Sequence, residues 1–362
     1  MRSLLPILNA FLLLLIAPIL GIVLIVGFDG QEMLALDLSS AKLPVAPLEQ
    51  QMNEMETAIH SIQQSLDSFS QQANSEKGDF EAQKAALDTL VAKSQKQTAS
   101  LPYLGKLLYE QNFARAIGSG PTYTHHSETV DIKIYPVHRN QYRGYLAKVK
   151  AYKGNAFYVS TAKDGRGTRE TTSGAAQRNK AILAINGGGF YPARDHGRTV
   201  YYPLGNTMVN GELIGSFMPS YSELFFAGFD PRGKLVGGYY ESFDAFKQDQ
   251  PHNGVSFLPI LLKDGKKQEI PRSWQNRRQP RTIMGVLKNG DVLFLVIDGR
   301  QSNWSKGITL EEAQSFLQQI GCIDAYNLDG GGSTTMVYNN KIINRPSEGK
   351  ERPVTTHIMV RP

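Results

Sequence analysis

A single cysteine, Cys322, rules out an intramolecular disulfide framework and any cysteine-based metal site. Flanked by Ile320-Gly321 and Ile323, it reads as a small buried hydrophobe rather than a nucleophile. The seven histidines, among them His125, His126, His138, His196, His252 and His357, are scattered, with no metal-ligand spacing, so neither a metal nor a cofactor is expected. The spacings of a phosphate-binding P-loop and of a dinucleotide fingerprint are also missing. No nucleic-acid partner is expected.

What is present is an ordinary globular composition, 41% hydrophobic and 20% charged, enough to build a sizeable core. The formal charge of +6 is unevenly spread. Residues 29–100 hold 11 acidic and 5 basic side chains, which leaves residues 101–362 at +11. A cationic C-terminal part suits an anionic substrate or surface.

Leu4 to Phe28 is almost uninterrupted apolar sequence. A helix of that length can cross a hydrocarbon core of roughly 30 Å. The run exceeds the apolar region of a cleaved signal peptide, and no clean small-residue cleavage site follows Val26. Residues 1–28 are therefore read as a signal anchor, with a cleaved signal peptide as the alternative. Arg2 on one side and Asp29, Glu32 and Asp37 on the other place the N-terminus in the cytoplasm and the remainder outside. Residues 29–120 read as a linker and helical stalk. Heptads run over about 49–99, with Met52, Ile59, Leu66, Ala73, Phe80 and Leu87 in one register and Met55, Ile62, Phe69 and Leu90 in the other. One long stalk and a helical hairpin breaking near Asn74–Gly78 both fit, and the seam offers a route to a homo-oligomer.

After Gly118-Ser119-Gly120-Pro121 the texture changes to short strands separated by turn signals, so residues 121–362 read as one folded domain. Hairpins are expected around Asn210-Gly211, Asp264-Gly265, Asn289-Gly290 and Asn339-Asn340, with a closing strand over Val354–Val360. Thr309-Leu310-Glu311-Glu312 is a capping box, followed by an apolar face of Leu310, Ala313, Phe316, Leu317 and Ile320 and a stop at Gly321. Glu170–Asn179 is a second helix candidate. Many strands and few helices define an α+β domain of mixed, mostly antiparallel sheets.

Three apolar runs end alike: Ala181–Ile185 into Asn186-Gly187-Gly188-Gly189, Val292–Ile297 into Asp298-Gly299-Arg300, and Ile323–Leu328 into Asp329-Gly330-Gly331-Gly332-Ser333. Each sets a polar side chain at a strand end and then glycine, which lets the backbone turn sharply and aim N–H groups at an anion. One such run is a tight turn. Their repetition points to a shared site. Asn327 and Asp329 lie on one side of their strand if it stays extended.

Within residues 130–361, the segments Ile185–Tyr191, Asn210-Gly211, Pro280-Arg281-Thr282, Asp298–Gln301, Asn327–Ser333 and Arg352-Pro353-Val354 follow in order. Together they resemble the phosphodiester glycosidase family. The membrane anchor and stalk are similar to those of bacterial surface members. With one cysteine, the sequence carries no counterpart of the cysteine-rich extension of animal members. The resemblance implies hydrolysis of a glycosyl-1-phosphodiester by cleavage of the C1–O bond. Asp329 is then the first candidate for the carboxylate that attacks C1 or activates water, and Asp298 the second. Arg281, Arg300 and Arg352 become phosphate clamps. Asn186 and Asn327 become ligands for sugar hydroxyls or an acetamido group. The backbones of Gly187, Gly188, Gly330 and Gly331, with Ser333, become the anion cradle.

Blander roles stay open: Asp298 as a local turn cap, and Arg281 and Arg352 as surface ion-pair residues. The implied partners are an anionic glycan or sugar phosphodiester and the membrane. The competing functional classes are a non-catalytic surface protein that binds glycan phosphates and a scaffold for envelope-polysaccharide machinery.

Overall fold

The computed structural model describes Gln64, residues 109–163 and residues 167–362. Apart from Gln64, the anchor and heptad segments lie outside the described residues. Among the described residues no helix is long and apolar enough to cross a membrane.

Every strand pairing among the described residues is antiparallel. The largest sheet has eight strands, in the order Tyr123–His126, Val130–His138, Arg143–Ala151, Val292–Ile297, Arg281–Leu287, Cys322–Asn327, Ile260–Lys263 and Lys266–Lys267. A second, five-stranded sheet runs Leu235–Gly238, Phe225–Phe229, Asn253–Phe257, Met208–Val209 and Glu212–Leu213. A third, also of five strands, runs Lys341–Ile342, Met336–Tyr338, Leu183–Asn186, Thr356–Val360 and Phe157–Thr161. Phe190–Asp195 and Arg198–Pro203 form a separate two-stranded ribbon.

The large sheet is buried on both faces, as the period of two along its central strand shows. Val292, Phe294 and Val296 enter one core, together with Phe225, Phe229 and Val255 of the second sheet and Phe157, Ile185 and Ile358 of the third. Leu293, Leu295 and Ile297 enter the other core, covered by the helix Leu310–Gln319 and by the helix over 109–117. The layers are thus helices, large sheet, and the two smaller sheets beneath it. A strand covered on both sides must be apolar at every position, which accounts for the unbroken run Val292–Ile297.

Local chemistry explains the elements. Asn210, Asp264, Asn339 and Asn340 adopt positive φ, as do Gly211, Gly265 and Gly290, giving tight hairpin turns at all four expected places. Thr309 caps its helix: its hydroxyl accepts the Glu312 N–H at 3.2 Å, and the Glu312 carboxylate accepts the Thr309 N–H at 3.0 Å. The second helix candidate forms as Thr172–Arg178.

The helix over 109–117, placed by its sequence in the stalk segment, packs on the large sheet through Phe113 and Ile117. Glu110 binds Lys133 at 2.8 Å and also the buried Lys148, whose ammonium lies 4.6 Å from the centre of the Phe113 ring. The folded domain therefore begins before residue 121.

Candidate active site

The strand ends picked out by their glycines do meet. In the large sheet Arg281 pairs with Ile297 and Ile283 with Asn327, so Arg281, Asp298 and Asp329 emerge at one edge. The third sheet arrives at the same edge through Asn186. Its side-chain amide donates to the Asp329 carbonyl at 2.6 Å, and its carbonyl oxygen accepts from the Thr282 hydroxyl at 2.8 Å and the Thr335 N–H at 3.1 Å. The Asp329 N–H donates to the Gly187 carbonyl at 3.3 Å. The backbone of the aspartate is thereby pinned from two sides.

The Asp329 residue is only partly buried, yet its carboxyl group is closely enclosed, and that loss of solvent pushes its pKa up to about 6. The Ser333 hydroxyl, the charge of Arg352 and the Gly330 backbone oppose the rise. Ser333 is fully buried, and its hydroxyl has no partner of standard hydrogen-bond geometry. The chain then turns through Gly331–Ser333, with the Gly331 N–H donating to the Pro280 carbonyl at 2.9 Å. Gly331 sits at φ +60°, and a Cβ there would stand 3.1 Å from Nη2 of Arg300. Over Gly332 lie the guanidinium of Arg352 and the carboxylate of Glu348, which form an ion pair.

Arg300 itself has φ +61°, a left-handed conformation that is costly for a residue with a Cβ. Its Nε donates to Gln279 Oε1 at 2.7 Å, which turns its two terminal nitrogens toward Gly331. Arg281 is 4% exposed, lies 5.4 Å from the Trp274 ring centre, and donates to the Arg277 carbonyl at 3.1 Å. Burial, with Arg300 adding to it, lowers its pKa to about 10, so it stays cationic at neutral pH. It is therefore no surface ion-pair residue. Arg352 is one, but with its partner set over the glycine turn.

The remaining sequence candidates take other places. Asp298 is 1% exposed and fully engaged: Oδ2 accepts from Trp304 Nε1 at 2.8 Å, and Oδ1 from Asn344 Nδ2 at 3.0 Å and the Arg345 N–H at 2.9 Å. Burial raises its pKa. Asn344 also donates to the Thr334 carbonyl at 3.1 Å, so Asp298 joins its own loop to the 344–345 segment and to the turn after Asp329. The second catalytic candidate is thus a tie between loops. Asn327 is fully buried and donates to the Leu258 carbonyl at 2.7 Å, and Asn186 is fully buried too. Both hold backbone in place, and neither presents its side chain to solvent.

The first glycine run also departs from expectation. The N–H groups of Gly187, Gly188 and Gly189 donate to Thr356 O at 2.9 Å, Thr356 Oγ1 at 3.1 Å and Ser256 O at 3.2 Å. A Cβ on Gly187 would lie 2.5 Å from Thr356 Oγ1, and one on Gly189 would lie 2.6 Å from the Phe257 ring. These glycines let the second and third sheets touch, and their amides supply no anion cradle.

Comparison with known proteins settles the family. The family described as phosphodiester glycosidase matches residues 179–361, half of the chain. The chain belongs to the phosphodiester glycosidase family. It is 28% identical over 200 residues to the SPbeta prophage-derived protein YomE of Bacillus subtilis, covering 54% of this chain and 30% of that protein. It is also 28% identical over 196 residues to the N-acetylglucosamine-1-phosphodiester alpha-N-acetylglucosaminidase of Bos taurus, covering 50% of this chain and 35% of that enzyme. The chain thus spans about a third of the length of these relatives. Among solved structures, the catalytic domain of the zebrafish N-acetylglucosamine-1-phosphodiester alpha-N-acetylglucosaminidase, auto-inhibited by its pro-peptide, superposes with a TM-score of 0.54 at 22% identity. The superposition covers 67% of this chain and 87% of that one, and it shows the shared phosphodiester glycosidase fold.

Within this phosphodiester glycosidase domain, sequence reasoning missed Glu348, Gln279, Trp304 and Asn344. Glu348 stands four residues before Arg352, but Pro346 and Gly349 argue against a helix, so the spacing carried no signal. Among the described residues no group of three or more His, Cys, Asp or Glu side chains is arranged to hold a metal ion.

Proposed function

We propose that the domain hydrolyses glycosyl-1-phosphodiesters, breaking the C1–O bond to release the sugar and a phosphomonoester. The observation that carries this reading is the setting of Asp329. An enclosed carboxylate faces a glycine turn over which two guanidiniums, Arg300 and Arg352, are held. The phosphodiester anion lies between those arginines, with Arg281 adding positive potential from behind. C1 then faces Asp329, which at neutral pH is mostly ionised and stabilises the developing oxocarbenium charge as nucleophile or general base. Water supplies the hydroxyl that C1 gains and the proton that the departing phosphomonoester takes up. That leaving group is a weak base, so guanidinium forks serve it better than a strong general acid. The strained backbone of Arg300 fits this assignment, since such strain is retained where a side chain must be aimed.

Asn186 and Asp298 act as positioning residues in this scheme, the first on the Asp329 backbone and the second on the loops around it. The same proposal sets the domain outside the cytoplasm, tethered by residues 1–28 and able to self-associate through the heptads. Its support is the apolar run from Leu4 and the charges on either side of it. The relatives that act on N-acetylglucosamine-1-phosphodiesters make that sugar the first to test. The full chain is incubated with an N-acetylglucosamine-1-phosphodiester and free sugar is measured, with Asp329→Asn as the control. Release that disappears in the variant supports the reading, and equal release from both proteins removes Asp329 from the mechanism.

A further inference from the structure

Glu348 is an anion held against one of the guanidiniums assigned above to the substrate's phosphate. Its carboxylate and the Arg352 guanidinium lie together over Gly332, three residues beyond Asp329, and Arg352 is close enough to lower the pKa of Asp329. The ion pair is only half covered, with side-chain exposures of 43% for Glu348 and 35% for Arg352. Pairs of this kind are weak and open at little cost. The backbone beneath Glu348 is fixed. The Gly349 N–H closes a turn onto the Pro346 carbonyl at 3.0 Å, and the Gln301 side chain holds the Arg345 and Pro346 carbonyls at 3.1 and 3.2 Å. The side chain is therefore the part free to move while the loop stays in place. A carboxylate and a phosphate oxygen pair present the same fork to a guanidinium, so the two compete for one partner.

We propose that Glu348 is an internal competitor that occupies Arg352 until a phosphate-bearing ligand displaces it, and is thereby a specificity-determining residue. The proposal rests on the phosphodiester reading only for the identity of the anion. A ligand whose anion reaches Arg300 and Arg352 together replaces the pair with contacts at least as good. A neutral glycoside offers Arg352 nothing, and the ion pair stays closed. Selectivity for phosphodiesters then comes partly from a contact that the wrong substrate cannot replace.

The test is calorimetric titration of the full chain with inorganic phosphate, comparing the unaltered protein with Glu348→Gln, Glu348→Ala and Arg352→Gln. Removing the competing charge should tighten phosphate binding by roughly two- to five-fold in both Glu348 variants, the range that a half-exposed ion pair spans. Arg352→Gln should weaken it. Equal or weaker binding in the Glu348 variants overturns the proposal, because a residue that merely aims Arg352 would be missed when removed. Absence of phosphate binding to all four proteins also overturns it. Failure of the glycosidase reading is separate: sugar release is then absent although the Glu348 variants still bind phosphate more tightly. Release with no Glu348 effect has the opposite meaning.

Discussion

The two glycine runs look alike in sequence and do opposite work. Asn186-Gly187-Gly188-Gly189 is enclosed between the second and third sheets, its amides bonded to Thr356 and Ser256 and its missing side chains required for contact. In Asp329-Gly330-Gly331-Gly332 the space left by absent side chains is taken by the Pro280 carbonyl at Gly330, by Arg300 at Gly331, and by Arg352 with Glu348 at Gly332. One run is glycine because backbone must touch backbone. The other is glycine, at its last two positions, because charged side chains take the space beside the turn that follows Asp329. The same residue type therefore says little about chemistry until the neighbouring atoms are known.

The sharpest break between the two runs is expected from Asp329→Asn. Turnover should fall by about 10²–10⁴-fold, the range for losing a positioned acid–base or nucleophilic carboxylate, measured as initial sugar release. Gly188→Ala should act on folding instead. Its Cβ would run into the Ser256 carbonyl, and overpacking of this kind costs about 1–3 kcal/mol, read from chemical denaturation, with turnover per folded molecule little changed.

Asp329 also gives the comparison a pH axis. Its pKa in the folded chain, about 6, lies above its ordinary value of 3.8, so the folded state holds the proton more tightly. Stability should therefore fall as pH rises from about 4 to about 6, by an order of about 1–3 kcal/mol, and Asp329→Asn should abolish that dependence and raise Tm above pH 6. Over the same interval turnover should rise, as the ionised form accumulates. A rate that instead falls across pH 6 would make Asp329 a general acid. The smallest effect is expected from Gly331→Ala. At φ +60° an alanine costs about 1 kcal/mol in stability, and its methyl crowds Arg300, so KM for a phosphodiester should rise more than KM for a neutral glycoside. Equal rises would detach Arg300 from phosphate.

Much of the fold was legible in local chemistry. The turns at Asn210-Gly211 and Asp264-Gly265, the Thr309 cap and the unbroken apolar strand Val292–Ile297 are each decided by residues within a few positions of one another. The three glycine-bounded strand ends were legible too, and they converge. What escaped depends on partners far away in sequence. Asp298 reads as a catalytic carboxylate until Asn344 and Arg345, more than forty residues on, occupy one of its oxygens. Strand parity placed Asn327 beside Asp329, but parity says nothing of the Leu258 carbonyl that takes its amide. Glu348 was invisible because its importance comes from the turn it sits on and the glycine it lies over. The helix over 109–117 reads as stalk in sequence because its apolar residues do not announce which surface they bury against.

The tie made by Asp298 bears on how such a domain can be changed. One carboxylate joins the loop of Trp304, the segment of Asn344 and Arg345 and, through Asn344, the turn behind Asp329. These pieces can be exchanged only as a set. A graft that replaces one loop to alter sugar preference leaves the others without their common anchor, whereas moving Asp298, Trp304 and Asn344 together carries the geometry along. The modular unit for redesign is then a connected group of residues scattered through the chain, and no contiguous stretch of sequence corresponds to it.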